Sequence, residues 1–452
     1  MPISPASLLN ADPRLKRIKR YWVAYSGGLD SHVLLHSLAT QRPLPGDAEL
    51  RALHVNHGLS ARAAEWAEHC ASHCAALGIP LQQLVVDARP APGESPEAAA
   101  RHARYRAIAG LLQQEDCLLT AHHQDDQAET LLLQLLRGAG PRGLAAMPVL
   151  ARFAAGWHAR PLLEYRREAL LAYAEEQGLH WIDDESNFDT GLDRNFLRHE
   201  IFPRLKQRFP AAATTLARSA GLCAEAGELL DQRARDDLAA LQRDDGALSV
   251  AGLRGLGEVR ARNALHHWIR QCGRPSPSAA QMTRIWHDVL GAGADARPRL
   301  GWAGVVLRRY RDGLFLDAAT PERELPAPAH WPAHGQRRAL HLPGIGTLSL
   351  EAEPAGERAL PLSRTALAGQ ALEIGFRQGG ERLRPAGRDG RHALKKLLQE
   401  AGVPPWRRGR LPLIFLRGEL IAVAGLCVAE GFAAAADEDR LWLCWRPEGS
   451  VL

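Results

Sequence analysis

Between residues 21 and 136, short apolar runs alternate with longer stretches whose apolar positions recur at helical spacing. Tyr21–Tyr25, Arg51–Val55, Leu81–Asp87 and Cys117–Ala121 read as strands, and Ser31–Leu38, Ala61–Leu77, Ser95–Gln113 and Asp125–Leu136 as helices. Strands alternating with longer amphipathic stretches predict an α/β fold with a parallel sheet and crossover helices. Ligands of such sheets sit at the carboxyl ends of the strands. Three polar segments fall there: the Ser/Gly turn after Tyr25, His54-Val55-Asn56-His57, and Ala121-His122-His123. The pattern converges on one crevice.

Beyond about residue 205 the pattern changes. Residues 211–241 have helical periodicity and no strand runs; helical stretches near 257–270 and 278–289 follow, then an apolar strand-like run, Leu300–Leu307. Pro321, Pro326, Pro328 and Pro332 mark a linker. From about 338 the pattern gives short strands around Thr347–Leu350, Leu413–Leu416 and Leu420–Gly425, and one helix near Ala393–Glu400.

At 452 residues the chain has room for two or three domains. No apolar run approaches the roughly 20 residues that span a bilayer, and Met1–Arg20 lacks the hydrophobic stretch of a signal peptide, so a cytoplasmic protein with no membrane partner is expected. Seven cysteines argue against a disulfide framework. The net charge of +5 is unevenly spread: Phe376–Arg417 holds 11 Lys/Arg and 3 Asp/Glu, a balance of +8 that leaves −3 for the rest. Such segregation suggests a polyanion footprint.

The candidate chemistry begins at Ser26-Gly27-Gly28-Leu29-Asp30-Ser31. A Gly-Gly turn between a strand and a helix presents successive backbone N–H groups to an anion. Gly27 and Gly28 allow positive φ and close approach, and Ser26 and Ser31 add hydroxyl donors. Asp30 would repel a phosphate unless a cation lies between them, which implies Mg²⁺. The hexad resembles the pyrophosphate-binding loop of the N-type ATP pyrophosphatases; it lacks the Gly-Lys-Ser/Thr ending of a Walker loop. A plain Ser/Gly turn is the alternative.

Four further segments carry a closer resemblance. They are His54-Val55-Asn56-His57-Gly58-Leu59; Ala121-His122-His123-Gln124-Asp125-Asp126-Gln127-Ala128-Glu129-Thr130; Arg137-Gly138-Ala139-Gly140 running on to Arg142-Gly143-Leu144 and Arg160-Pro161-Leu162-Leu163; and Asp184-Glu185-Ser186-Asn187 before Arg194-Asn195-Phe196-Leu197-Arg198. With the loop, they resemble the tRNA-isoleucine lysidine synthetases over 20–205. Phe376-Arg377, Arg382-Leu383-Arg384-Pro385, Lys395-Lys396-Leu397-Leu398 and Pro404-Pro405-Trp406-Arg407-Arg408 extend the resemblance over 375–417, while 245–340 carries no specific motif.

The resemblance implies an α/β, parallel-sheet PP-loop (adenine nucleotide alpha hydrolase-like) catalytic domain over 1–208 and a mainly helical tRNA-recognition domain over 209–320. A linker over 321–337 and a small, basic α+β tRNA-binding domain over 338–452 follow. It implies a ligase in which ATP adenylates the C2 oxygen of the wobble cytidine of an isoleucine tRNA with a CAU anticodon. Free L-lysine then displaces AMP through its ε-amino group. The partners are that tRNA and lysine, the cofactors ATP and Mg²⁺, with a homodimer left open.

By the same resemblance, Ser26, Gly27, Gly28, Leu29, Asp30, Ser31, His54 and Asn56 bind ATP, with Asp30 also on the metal. His122, His123, Asp125, Asp126 and Glu129 join Asp30 in catalysis, and Arg194, Asn195, Arg198, Arg377, Arg384, Lys395, Lys396, Trp406, Arg407 and Arg408 contact tRNA. Lysine has an ammonium pKa of roughly 10.4 and must lose a proton before attack. Asp125 and Glu129, at i and i+4, share a helical face suited to that ammonium or to Mg²⁺, and His122 or His123 suits proton transfer. From the residues alone, the same cluster reads first as an acidic, capped helix start and second as a metal site.

Competing readings are weaker. His69-Cys70 and His73-Cys74 repeat on one helix face, which suits zinc or a buried Ala-rich face. A tRNA 2-thiolation enzyme would need a Cys-x-x-Cys pair, and cysteines at 70, 74, 117, 223, 272, 427 and 444 supply none. A small-molecule amide ligase has no use for the basic C-terminal stretch, and a catalytically dead RNA-binding protein has none for an intact loop.

Overall fold

The computed structural model describes residues 3–56, 58, 62–90, 95–182, 189–293, 296–319, 325–332, 339–354, 359–367, 369–435 and 437–448. The chain forms two compact units, Met1–Gln232 and Arg233–Leu452.

The first unit is built on six strands: β1 (Arg20–Ala24), β2 (Glu49–Asn56), β3 (Leu81–Val85), β4 (Asp116–Leu119), β5 (Leu150–Phe153) and β6 (Gly156–Ala159). Their order is β3-β2-β1-β4-β6-β5, parallel throughout except for β5 against β6. Apolar β1 and β4 lie at the centre, where Tyr21, Val23, Leu118 and Leu119 are fully buried. The chain runs outward from β1 to β2 and β3, then returns to place β4 on the other flank of β1. This reversal opens a crevice beyond the carboxyl ends of β1 and β4.

The same unit holds the helices α1 (Pro5–Ala11), α2 (Leu29–Thr40), α3 (Ala63–Ala76), α4 (Pro96–Leu111) and α5 (Gln124–Leu136). The four strands and four helices expected between 21 and 136 all form, within a few residues of their expected ends. Helix α2, expected to be amphipathic, is instead buried on most sides, because α1 and the helix Arg167–Glu176 cover what the sheet does not. Neither covering helix nor the β5–β6 hairpin stood out in the sequence pattern. No described helix is long and apolar enough to cross a membrane.

In the second unit the single strand expected at Leu300–Leu307 is a hairpin. Ala303 and Gly304 have φ of 39° and 76°, so the chain reverses between β8 (Arg299–Trp302) and β9 (Val305–Tyr310). With β7 (Leu248–Ser249) and β10 (Gly313–Ala318) these strands form a sheet of order β7-β10-β9-β8. It packs with Glu258–Gln271, Ala279–Arg284 and Ile285–Leu290 around Leu265, Ile269, Ile285 and Leu307. The middle region is therefore mainly helical, with one small antiparallel sheet.

The C-terminal part holds a five-stranded and a four-stranded antiparallel sheet sharing one core, with Trp331, Leu348, Ile414 and Leu443 buried in it. Ala329–Pro332, inside the stretch expected to be linker, is an edge strand paired with Ala371–Gly375. The basic helix Leu394–Glu400 buries Leu394, Leu397 and Leu398 and leaves Lys395 and Lys396 exposed.

Candidate active site at the carboxyl end of the parallel sheet

Strand β1 ends at Ala24, and residues 26–28 turn into α2. Gly27 takes φ 83°, and a Cβ there would stand 3.1 Å from both Cys70 Sγ and Ile182 Cδ1. Gly28 is extended, at φ −77°, and sits at the N-cap of α2. The turn is held by its own serines: Ser31 Oγ donates to Gly28 O at 3.0 Å and accepts from Ser26 N at 3.2 Å. Asp30 lies in the first turn of α2, one side-chain oxygen buried with no partner among the described residues and the other 3.6 Å from His123 Nε2.

His54, near the end of β2, is buried, and its Nδ1 donates to Tyr25 O at 2.9 Å. A carbonyl only accepts, so Nδ1 carries the proton. Asn56 closes a local turn by accepting from Gly58 N at 2.8 Å. His57, Leu59 and Asp184-Glu185-Ser186-Asn187 lie outside the described residues.

Helix α5 opens with a reciprocal cap. His123 N donates to Asp126 Oδ2 at 3.0 Å, and Asp126 N to His123 Nδ1 at 3.4 Å. Burial disfavours the His123 imidazolium, but Asp126, Asp30 and Asp125 together outweigh it and raise its pKa. The acids that act together are Asp126 and Glu129, three apart, not Asp125 and Glu129. Arg194 donates to Glu129 Oε2 at 2.8 Å and to Asp126 Oδ1 at 3.0 Å. Arg198 donates to Glu129 Oε1 at 2.7 Å and to Asp126 Oδ1 at 2.7 Å. Burial works against ionisation of Asp126, yet His123, Arg194, His122 and Arg198 hold its pKa well below the usual range. Asp125 points elsewhere, accepting from Lys206 Nζ at 2.6 Å and Arg167 N at 3.1 Å. Asn195 is buried and donates to Asp189 O at 3.0 Å.

Around His122 the structure adds residues without an assigned role. Thr120 Oγ1 lies 2.8 Å from both His122 Nδ1 and His158 Nε2, and Arg160 Nη2 lies 3.4 Å from His158 Nδ1. Arg160 was visible only as part of a motif; His158 lies on the unread β5–β6 hairpin. Lys206 bridges Asp125 and Glu168, and no motif flags it.

On α3, His69 and His73 meet His32 of α2, whose ring lies 3.7 Å from that of His73. Among the described residues no group of three or more His, Cys, Asp or Glu is placed to hold a metal ion. Cys70 and Cys74 are buried, and burial pushes their thiols up to about 12 and about 11.

In the second unit, the residues expected on the RNA face divide. Lys395, Lys396 and Arg384 are exposed. Arg377 is half-buried beside Glu381. Trp406 and Arg407 donate to the two oxygens of Asp317 on β10 at 3.1 and 3.0 Å, with the Arg407 side chain still 41% exposed, and Arg408 donates to Tyr310 Oη at 3.0 Å.

Three family models match the chain: a PP-loop domain over 6–205, a TilS substrate binding domain over 248–315 and a TilS substrate C-terminal domain over 372–445. Three similar proteins are each called tRNA(Ile)-lysidine synthase. That of Coxiella burnetii is 42% identical, over 96% of this chain and 95% of its own length. That of Methylococcus capsulatus is 43% identical over 94% and 96%, and that of Alkalilimnicola ehrlichii 43% over 96% and 95%. The matches run from the phosphate-type loop through both later regions, and on that breadth the chain belongs to the tRNA(Ile)-lysidine synthase family.

Proposed function

We propose that this chain, working in the cytoplasm, joins free L-lysine to C2 of the wobble cytidine of an isoleucine tRNA with a CAU anticodon, at the crevice beyond β1 and β4. It is an ATP-dependent ligase that forms a carbon–nitrogen bond. The cytidine C2 oxygen attacks the α-phosphorus of ATP and pyrophosphate leaves. The ε-amino group of lysine, having lost its proton, then bonds to C2, and AMP departs with the oxygen. The observation that carries the reading is the convergence, at one switch point of one sheet, of an anion-binding turn (Ser26–Ser31) and a charged cluster (Asp126, Glu129, Arg194, Arg198).

Adenylation needs phosphate charge balanced where it develops. Gly27 and Gly28 leave the loop backbone open to the β,γ-phosphates, and Ser26 and Ser31 keep its shape. Asp30 suits Mg²⁺: its buried, unpartnered oxygen beside a phosphate site is a hard ligand that substrate oxygens and water would complete. The ion would offset phosphate charge when bound. Asp126 and Glu129 hold the Arg194 and Arg198 guanidiniums at the crevice, and a lysine ammonium docking on the acids exchanges with one of them. In the second unit Arg384, Lys395 and Lys396 form the exposed part of a phosphate-contacting face. A thiolase reading is disfavoured by thiols that burial keeps protonated.

The test is incubation with unmodified isoleucine tRNA, ATP, Mg²⁺ and labelled lysine, followed by nucleoside analysis. The expected product is labelled lysidine with AMP formed in step. AMP formation without label in the nucleoside, whatever the lysine concentration, would overturn the proposal.

A further inference from the structure

The chain of contacts Arg160–His158–Thr120–His122 runs behind the crevice, and its hydrogens are placed by starting from the Arg160 end and leaving no donor in the chain unpaired. A guanidinium has donors and no acceptor. Arg160 Nη2 therefore donates to His158 Nδ1, while its Nη1 donates to Pro148 O at 2.7 Å. His158 is buried; burial, the adjacent Arg160 charge and His122 hold its pKa down to about 3, so it is neutral. With Nδ1 accepting, its single proton sits on Nε2 and is donated to Thr120 Oγ1. Thr120 Oγ1 could accept twice, but its own hydroxyl hydrogen would then have no partner among the described residues; donating it to His122 Nδ1 pairs every hydrogen in the chain. That nitrogen accepts. His122 is neutral as well: burial pushes its pKa down to about 3, Arg160, Arg194 and Arg101 push the same way, and Asp126 alone opposes them. Its one proton therefore lies on Nε2, which has no hydrogen-bond partner among the described residues.

We propose that Thr120, His158 and Arg160 are positioning residues that hold His122 as the neutral Nε2–H tautomer, so that His122 enters the reaction as a hydrogen-bond donor to a phosphoryl oxygen of the bound nucleotide and not as the base that deprotonates lysine. The inference rests on the crevice being the catalytic one. A donor of this kind keeps its charge state while phosphate charge shifts around it, and a fixed tautomer needs no reorganisation at the moment of reaction. A base would need the lone pair that this network spends on Thr120. The polarity is set from the far end by a residue with no acceptor.

The network is tested in the full-length protein with ¹⁵N-labelled histidine. Long-range nitrogen–proton spectra are expected to show His122 Nε2 protonated and Nδ1 unprotonated throughout pH 6–8. Thr120→Val is expected to scramble that pattern, and Thr120→Ser to restore it along with most of the rate. The role is tested by pre-steady-state pyrophosphate release on mixing enzyme, ATP and Mg²⁺ with tRNA. His122→Gln, which keeps a donor and has no basic nitrogen, is expected to stay within about tenfold of the wild type, whereas His122→Leu loses about 100-fold. Thr120→Val should lower the rate constant and leave the apparent ATP affinity within about twofold. A wild-type proton on Nδ1, or a His122→Gln variant as slow as His122→Leu, would overturn the inference. The spectra need no substrate, so failure of the wild type to adenylate tRNA would strike the reading of the crevice and leave the tautomer assignment standing.

Discussion

Gly27 shows how much one residue decides. Its φ of 83° belongs to glycine, and any Cβ would press on Cys70 and Ile182 at 3.1 Å. Gly27→Ala is expected to cost about 1–3 kcal/mol of local strain and to weaken ATP binding more than it lowers the melting temperature, as calorimetry on the same sample would show. Asp30 is the sharper probe. Asp30→Asn keeps size and hydrogen-bonding capacity and removes the charge a cation needs. AMP formation should vanish while tRNA binding stays within about twofold, since the exposed basic residues proposed to meet phosphates are untouched; unchanged AMP formation would defeat the assignment. Both residues were legible in the sequence because a Gly-Gly turn with an embedded acid has few other uses. His158 was not legible, since its role exists only through Thr120 and Arg160.

At the scale of elements, the two helices flanking the loop carry opposite charge problems. Helix α5 presents Asp126 and Glu129, and the segment Asp193–Ile201 returns Arg194 and Arg198 to meet them. Glu129→Ala would leave two guanidiniums sharing one buried carboxylate, and a loss of about 3 kcal/mol is expected by chemical denaturation. Glu129→Gln should lose less stability but raise the lysine concentration needed for half-maximal lysidine yield. Helices α2 and α3 instead bring neutral histidines together. Burial, with His73, His69, His36 and His180 nearby, lowers His32 to about 3, and burial with His69 and His36 lowers His73 to about 4. Tyr25 closes the group, its hydroxyl 2.9 Å from His32 Nδ1. The unfolded chain titrates near 6.5 and so binds protons that the folded chain refuses. This contribution is fully present above about pH 6.5 and is lost as pH falls toward 4 and then 3, at up to about 1.4 kcal/mol per pH unit for each proton. Urea midpoints between pH 7 and 4 should fall steeply, and His73→Gln should flatten that fall.

Across the whole molecule, charge is sorted between regions. The +8 of Phe376–Arg417 stands against −3 for the remainder, and the structure sorts it again. Trp406 and Arg407 are tied to Asp317, while Lys395, Lys396 and Arg384 are exposed. Neutralising those three together should weaken tRNA binding and reduce the slope of log affinity against log salt by about 3, at roughly 0.9 per phosphate contact. ATP binding should not change. Normal tRNA binding at every salt concentration would make the patch a solvated face. Asp317→Ala should act differently, lowering thermal stability by freeing Trp406 and Arg407 with little change in salt slope.

The alternation of strands and helices, the loop after β1 and the basic helix were decided by local sequence. Each rests on spacing between near neighbours: period two for strands, 3.6 for helices, and glycines at a turn. Even there the sequence alone misjudged the faces of α2, because only packing under α1 and Arg167–Glu176 determines how many sides of a helix are covered. The hairpin at Ala303-Gly304 hid inside one apolar run, since periodicity does not mark where an apolar strand reverses. Tertiary structure decided which charges pair. Arg194 and Arg198 lie some 65 to 72 residues from their acids, Arg407 lies 90 from Asp317, and Thr120 joins histidines on two separate strand ends. Hydrogen bonds and ion pairs have ranges of a few ångströms in space and no preferred separation along the chain, so the family's motifs named some participants, but not Thr120, His158 or Asp317, and the fold alone assigned the partners.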